Sequence, residues 1–325
     1  MTLDRPLCDI DVGEELIAEF ARRDARRHTR IGPLLAVALG DAYGAGHEYV
    51  PEHRHLNDLT HFPRHPRLPI GGGRYTDDTQ MSIAIAEVFV AGMPWTKIGL
   101  ADRFFEVFKR DPRPGYSAAF YAILQNAVTL EEFIAAIVPT SEKNGAAMRA
   151  PIIGLMSDIE DVASYAAEQA TVTHNTPVAR GAAIAAALLT HYFHHARGPK
   201  CDVGLWLDSL VPSYARDIGF SFHYSWGALW TGEVSSLATD AVHAAVTAVR
   251  RWNTLGDVLK ACVDFGGDVD TVGAIAMPAA SRSTEIRDDI PDALIEQLED
   301  GPFGRRYLRA LDEQLLARWP GARVR

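Results

Sequence analysis

The chain has 325 residues, of which 47% are hydrophobic and 23% charged, a composition typical of a globular protein with a sizeable core. Its 42 acidic and 32 basic residues give a net charge of −10, which makes duplex nucleic acid an unlikely partner because phosphate binding requires a basic surface. No apolar run reaches the roughly 18 residues of a membrane helix, and the acidic first residues do not resemble a secretion signal.

The first part of the chain predicts helices separated by one long loop. An amphipathic helix is expected over 13–30, with a cluster of arginines on its solvated face. Pro33 fits the first turn of a second helix, and the small residues of LLAVALGDAYGAG allow another helix to pack closely against it. Residues 47–74 are rich in His, Pro and Gly and predict a long ordered loop, of the kind that is often functional. The irregular spacing of its five histidines argues against a metal role for them.

The later part of the chain has clearer helix boundaries. Thr129 and Glu132 have the spacing of a capping box at a helix start. Thr176 followed by Pro177 predicts the start of an Ala-rich helix that ends near His194. Further amphipathic helices are expected over 239–252, 256–265, 290–299 and 303–318. Alternating strand patterns are almost absent, so the predicted fold class is all-α.

Two short motifs place paired aspartates at predicted helix starts. Thr76-Asp77-Asp78-Thr79 follows three glycines and precedes QMSIAIAEVFVA, and Gly266-Gly267-Asp268-Val269-Asp270-Thr271 precedes VGAIAM. Helix capping is the ordinary explanation for one such motif, because Asp and Thr side chains satisfy free backbone N–H groups. The two motifs together hold more acidic residues than two helix caps require. Each motif is followed by an apolar helical segment, which is expected to bury the motif. A functional site is therefore the favoured interpretation.

If the two helix starts converge, four aspartates meet in a cluster that repels itself unless cations neutralise it. All the donors are hard oxygens, so the fitting ions are Mg²⁺ or Mn²⁺. Four carboxylates match the charge of two divalent ions, and two ions about 4 Å apart form a common hydrolytic device. Glu48, close in sequence to the first motif, is either a residue at the rim of this site or an ordinary surface glutamate.

With these motifs in view, the chain resembles the ADP-ribosylglycohydrolase family, which includes the dinitrogenase reductase-activating glycohydrolases. The resemblance runs from about Ile31 to about Ala280 and rests on GDAYGAGHE, YTDDTQMS, NGAAMRAPIIG, THNTPVARGAA and GGDVDTVGAIA, in that order. It implies a compact orthogonal helical bundle as one catalytic domain over 31–325, with 1–30 as a helical extension. It also implies two Mg²⁺ or Mn²⁺ ions and cleavage of the bond between ADP-ribose and an amino-acid side chain. The first 30 and last 40 residues have no assigned counterpart and are expected to shape the substrate entrance.

The resemblance further implies roles for individual residues. The implied metal ligands are Thr76, Asp77, Asp78, Asp268, Asp270 and Thr271. Glu48 is similar to the acid that the family places beside the scissile bond, and is the candidate for proton transfer. The implied contacts with ADP-ribose are Gly115, Tyr116, Ser141, Asn144, Gly145, Met148 and His174. Lys143 stands where the family usually has Gly, and a lysine there can also pair with phosphate.

Several alternatives stay open at this point. The DVDTV segment matches the nucleophile motif of haloacid-dehalogenase-type phosphatases, although that motif normally ends an apolar strand near the N-terminus. A family member can also bind ADP-ribose without turnover or serve a structural role. Arginine is the first choice of linkage, from the family's bacterial members, with serine, threonine, nucleobase and O-acetyl-ADP-ribose linkages also possible. The expected partners are an ADP-ribosylated protein or a small ADP-ribose conjugate, and a monomer is favoured.

Cysteine usage bears on the compartment. Cys8, Cys201 and Cys262 are far apart in the chain and include no CxxC pair. They are expected to be ordinary thiols in a reducing cytoplasm, and they exclude a zinc-thiolate site.

Overall fold

The computed structural model describes residues 31–322, so the helix predicted over 13–30 lies outside the described residues. Between residues 31 and 322 the protein consists of α-helices, short 3₁₀ turns and loops, with isolated β-bridges in place of strands. The predicted all-α class is therefore confirmed. In the same part of the chain, no helix is both long and apolar enough to cross a membrane.

The α-helices of the described residues follow in chain order. They are α1 (Pro33–Ala45), α2 (Asp77–Val90), α3 (Lys97–Arg110), α4 (Ala118–Asn126), α5 (Leu130–Ala136), α6 (Ile159–Ala170), α7 (Pro177–His194), α8 (Val203–Asp217), α9 (Ala238–Arg251), α10 (Leu255–Asp264), α11 (Val269–Arg282), α12 (Asp292–Gln297) and α13 (Arg305–Arg318). Their apolar faces pack into a core that extends from Ile31 to Leu315. The segment between α1 and α2 is the predicted loop, interrupted by one 3₁₀ turn (Pro51–Leu56).

The local helix signals are confirmed at several starts. Thr129 and Glu132 form the predicted capping box of α5, and the Thr176 side chain accepts a hydrogen bond from the Ala179 N–H at the start of α7. The last two helices each begin two residues later than predicted. At α12 the reason is Pro291, because a proline disfavours helical geometry for the residue before it.

Helices α1 and α11 pack with their backbones almost in contact, as the small residues of α1 predicted. A Cβ atom added to Gly40 would lie 2.2 Å from the carbonyl oxygen of Gly273, and one added to Gly44 would lie 2.4 Å from the Cα of Asp270. Because only glycine fits such distances, these positions allow α1 and the N-terminal end of α11 to lie side by side. Asp41 and Asp270 are thereby brought together.

Residues near the C-terminus support the first aspartate motif. The Glu299 side chain accepts a hydrogen bond from the Tyr75 N–H (3.0 Å), and the Glu299 N–H donates to the carbonyl of Gly73 (2.8 Å). Arg113 forms an ion pair with Glu299 and lies over the Tyr75 ring, 3.9 Å from its centroid. The backbone that leads into Thr76 is therefore held by Glu299, which lies 224 residues from Tyr75 in sequence.

Candidate active site

The two aspartate motifs converge on one buried cluster of carboxylates. Asp78, at the start of α2, and Asp270, at the start of α11, each place a carboxylate oxygen within 4.8 Å of the other and of Asp41. Glu48 and Asp268 place theirs within 4.8 Å of each other and of Asp270. Among the described residues these are the groups of three or more acids, His or Cys that lie close enough to share a cation.

Helix capping does not account for the aspartates. Thr76 is the N-cap residue of α2 and Asp268 that of α11, yet neither side chain accepts a hydrogen bond from an N–H of its own helix. The α2 start is capped instead by Asp41, which accepts the Thr79 N–H at 3.0 Å. Asp270 accepts the N–H of Thr271 at 2.9 Å, but Asp268 caps no helix, so capping does not use all the carboxylate oxygens of the two motifs.

Asp41 is part of the cluster, and sequence reasoning missed it. Its carboxylate accepts the backbone N–H of Thr76 (2.9 Å), the Thr76 hydroxyl (2.8 Å) and both the N–H and hydroxyl of Thr79. Asp41 is fully buried, in a helix whose other side chains are apolar or small. An aspartate in an otherwise apolar helix could have indicated a site residue from the sequence, because a buried carboxylate requires hydrogen bonds or a cation.

The electrostatics of the cluster favour a bound cation. Burial and mutual repulsion raise the pKa values of Asp77, Asp78 and Asp270 well above the ordinary range. Burial, followed by the charges of Asp268 and Asp41, raises the pKa of Glu48 to about 7. One oxygen of Asp78 is buried without a hydrogen-bond partner. These residues fit hard divalent ions, since such ions bind carboxylate oxygens and remove the repulsion between them.

Glu48 is positioned by the histidine-rich loop. His65 Nδ1 accepts the N–H groups of Arg67 (3.1 Å) and Leu68 (2.9 Å), so this nitrogen carries no proton. The proton is then on Nε2, which donates to the carbonyl oxygen of Glu48 at 3.1 Å. The loop that sequence analysis marked as functional therefore holds the backbone of the candidate proton-transfer residue.

Gly115 and Tyr116 lie beside Asp77, the motif aspartate whose carboxylate is not in either of the two groups above. Gly115 has φ of +111°, and a Cβ there would lie 2.0 Å from a carboxylate oxygen of Asp77. The Tyr116 hydroxyl donates to Gln80 (2.8 Å), whose amide nitrogen donates in turn to the carbonyls of Val107 and Asp111. The Tyr116 side chain thus anchors the turn within the core, and the Gly115 backbone is the part nearest to Asp77.

The predicted diphosphate loop adjoins the cluster on its other side. The Asn144 side-chain amide donates to Asp268 at 3.1 Å, and Gly145 packs against the His174 ring, which a Cβ would approach to 2.8 Å. Burial, followed by the charges of Arg149 and Lys143, lowers the pKa of His174 to about 3, so this ring is neutral. Ser141 and Met148 lie in the same segment. The Ser141 hydroxyl oxygen accepts the N–H of Lys143, and Met148 is buried.

Arg149 lies behind this loop rather than in it. Its guanidinium donates to the Gln169 side chain (2.6 Å) and to the Thr173 hydroxyl (2.9 Å), and it lies over the Phe104 ring. Thr173 also contacts Nδ1 of His174 at 2.7 Å. Arg149 therefore supports the wall that carries His174.

Comparison with known proteins identifies the chain. The family model for ADP-ribosylglycohydrolase matches residues 22–324. The chain belongs to the ADP-ribosylglycohydrolase family. It is 26% identical to an ADP-ribosyl-[dinitrogen reductase] glycohydrolase from Rhodospirillum rubrum, over 88% of this chain and 95% of that protein. It is 32% identical to human ADP-ribosylhydrolase ARH3, although that match covers only 49% of this chain and 48% of the relative.

A solved structure supports the same assignment. The chain resembles a structure titled ADP-ribosylglycohydrolase-related protein complex, with a TM-score of 0.66 and 25% identity over 89% of this chain and 96% of that one. Family membership makes the chain a hydrolase. The match to residue 324 also corrects the expectation that the last 40 residues lack a counterpart.

The phosphatase interpretation of DVDTV is wrong. Asp268 precedes helix α11 within an all-α domain, whereas the phosphatase nucleophile should end a strand of an α/β fold.

Proposed function

We propose that the protein is a divalent-metal-dependent ADP-ribosylhydrolase that cleaves the glycosidic bond between ADP-ribose and a modified side chain. The observation that carries this proposal is the convergence of Glu48 with the aspartates of two distant motifs. The reaction adds water across the bond, so ADP-ribose leaves with the oxygen on C1″ and the side chain regains a proton. Residues 31–325 are proposed to act as one catalytic domain.

The proposed metal ligands are those implied by the family resemblance: Thr76, Asp77, Asp78, Asp268, Asp270 and Thr271. Asp41 orients this set by binding Thr76 through both its hydroxyl and its N–H. Two Mg²⁺ or Mn²⁺ ions match the charge and the oxygen donors. When bound, these ions would supply positive charge. That charge would neutralise the carboxylates and attract the hydroxyl groups of the ribose.

The chain's own residues then perform the proton chemistry. Bond cleavage at C1″ passes through an oxocarbenium-like transition state, as in other glycoside hydrolyses. Glu48 is proposed to protonate the leaving group or to take a proton from the attacking water. Its carboxylate oxygen lies within 4.8 Å of carboxylate oxygens of Asp268 and Asp270, so a group able to transfer a proton stands at the cluster itself. The presence of this carboxyl group favours an active enzyme over a member that only binds ADP-ribose.

The remaining site residues are proposed to hold ADP-ribose on the two sides of the cluster. Ser141, Asn144, Gly145 and Met148 would contact the diphosphate and ribose, with neutral His174 behind them. Gly115 and Tyr116 would approach the distal ribose from the Asp77 side.

The substrate is proposed to be an ADP-ribosylated protein or small conjugate, with arginine as the preferred linkage. The test is a panel of ADP-ribosylated peptides, arginine-linked and serine-linked among them, incubated with Mg²⁺, Mn²⁺ or a chelator. Release of free ADP-ribose only with metal is the expected result. Tight binding of ADP-ribose by calorimetry, with no turnover of any linkage, would instead support a binding protein.

A further inference from the structure

An aromatic and an acidic side chain flank the glycine pair that leads into α11. The Tyr49 N–H donates to the carbonyl oxygen of Gly267 at 3.0 Å. On the other side, the side chain of Glu233 packs on Gly267 so closely that a Cβ there would lie 2.9 Å from its Cγ. The segment of Glu233 is fixed by Val234, which accepts the Asp268 N–H and donates to the Gly266 carbonyl, each at 3.0 Å. Both residues are therefore held beside the carboxylate cluster.

Both residues are exposed to solvent. Tyr49 directly follows Glu48, and the residue is 43% exposed. The Tyr49 carbonyl oxygen accepts a hydrogen bond from the Arg67 side chain, so both backbone polar groups of Tyr49 are bound. Glu233 is exposed, and within residues 31–322 no hydrogen bond or ion pair occupies its carboxylate.

We propose that Tyr49 and Glu233 form the subsite for the leaving side chain and select a guanidinium over a hydroxyl. This inference rests on the proposed function, since it concerns the group that Glu48 would protonate. If the distal ribose lies at the cluster, the modified side chain must leave past the residues next to Glu48. Tyr49 and Glu233 are two exposed residues that flank Glu48 and Gly267.

The chemistry of this pair matches a planar cation. A guanidinium stacks on an aromatic ring and donates paired hydrogen bonds to a carboxylate. The Glu233 carboxylate, which is not among the proposed metal ligands, adds a negative charge that attracts a cation and gives no benefit to a neutral hydroxyl. A serine leaving group would use neither the ring face nor the Glu233 carboxylate.

The experiment compares arginine-linked and serine-linked ADP-ribosyl peptides of matched sequence on the full-length protein with Mn²⁺. Glu233→Gln and Tyr49→Leu should each lower kcat/KM for the arginine substrate about tenfold, with the serine substrate changed less than about twofold. Tyr49→Phe keeps the ring and should retain most of the arginine activity. Glu296→Gln, an exposed acid on α12, is the matched control and should leave both substrates unchanged.

A second readout uses a free guanidinium compound in place of a modified substrate. Agmatine, a free guanidinium compound, should inhibit the wild-type protein competitively and inhibit Glu233→Gln about tenfold more weakly. A wild-type preference for the serine substrate, equal losses on both substrates, or no loss on arginine would overturn this inference alone. Absence of ADP-ribose release from every substrate by the wild type would instead overturn the proposed function.

Discussion

Gly40 of α1 and Gly273 of α11 meet backbone to backbone, and each excludes a Cβ atom from the other. A Cβ added to Gly40 would lie 2.2 Å from the Gly273 carbonyl oxygen, and a Cβ added to Gly273 would lie 2.6 Å from the Gly40 carbonyl oxygen. This contact lies one residue from Asp41 and three from Asp270. The geometry of the carboxylate cluster therefore depends on how closely these two helices approach.

We predict that Gly40→Ala lowers the free energy of unfolding by about 1–3 kcal/mol, because a fully packed helix pair must separate to admit the methyl group. Urea denaturation measures this change. Gly301→Ala is the control, since no atom lies within 4 Å of a Cβ built there, and its effect should stay within about 0.5 kcal/mol. Equal free energies of unfolding for the two variants would show that α1 and α11 can separate to admit the methyl group at no cost.

We predict opposite effects of Asp270→Asn on stability with and without metal. In chelator, the substitution removes the cost of burying this carboxyl group and its repulsion with Glu48, Asp268 and Asp78, so the Tm should rise. Added Mn²⁺ should raise the Tm of the wild type by mass action and that of the variant much less. Thermal unfolding at several Mn²⁺ concentrations provides the measurement. If Mn²⁺ raises the Tm of the variant as much as that of the wild type, Asp270 is not a metal ligand.

We predict that Glu48→Gln lowers kcat by roughly 10²-fold or more while the affinity for ADP-ribose changes little, because a glutamine cannot transfer the proton. Steady-state hydrolysis and calorimetry with ADP-ribose separate the two effects. An unchanged kcat would assign the proton transfer to another residue.

We predict that His65→Leu lowers kcat about tenfold, because Glu48 loses the hydrogen bond that holds its backbone. The Mn²⁺-induced rise in Tm should remain, which distinguishes a positioning role from general loss of the site. His55→Leu, an exposed histidine on the same loop, is the matched control. If both variants lose activity equally, the effect belongs to the loop as a whole.

Features with local signals could be predicted from the sequence. The start of α7 follows from Thr176 and Pro177 alone, and the paired aspartates pointed to one site because two motifs carried the same chemistry. The contribution of Asp41 could not be predicted in this way. Its partners Thr76 and Thr79 are 35 and 38 residues away, and their approach depends on how α1 and α2 pack. Tyr116 shows the same limit, because its hydroxyl binds Gln80 within the core.

The hydrogen bonds from Glu299 to the segment before Thr76 have a consequence for synthesis of the protein. A nascent chain that has exposed α1 and α2 already carries Asp41, Asp77 and Asp78, but neither Asp268 and Asp270 nor Glu299. The early aspartates therefore emerge from the ribosome without their partners, and the complete, supported cluster can form only after Glu299 has been synthesised.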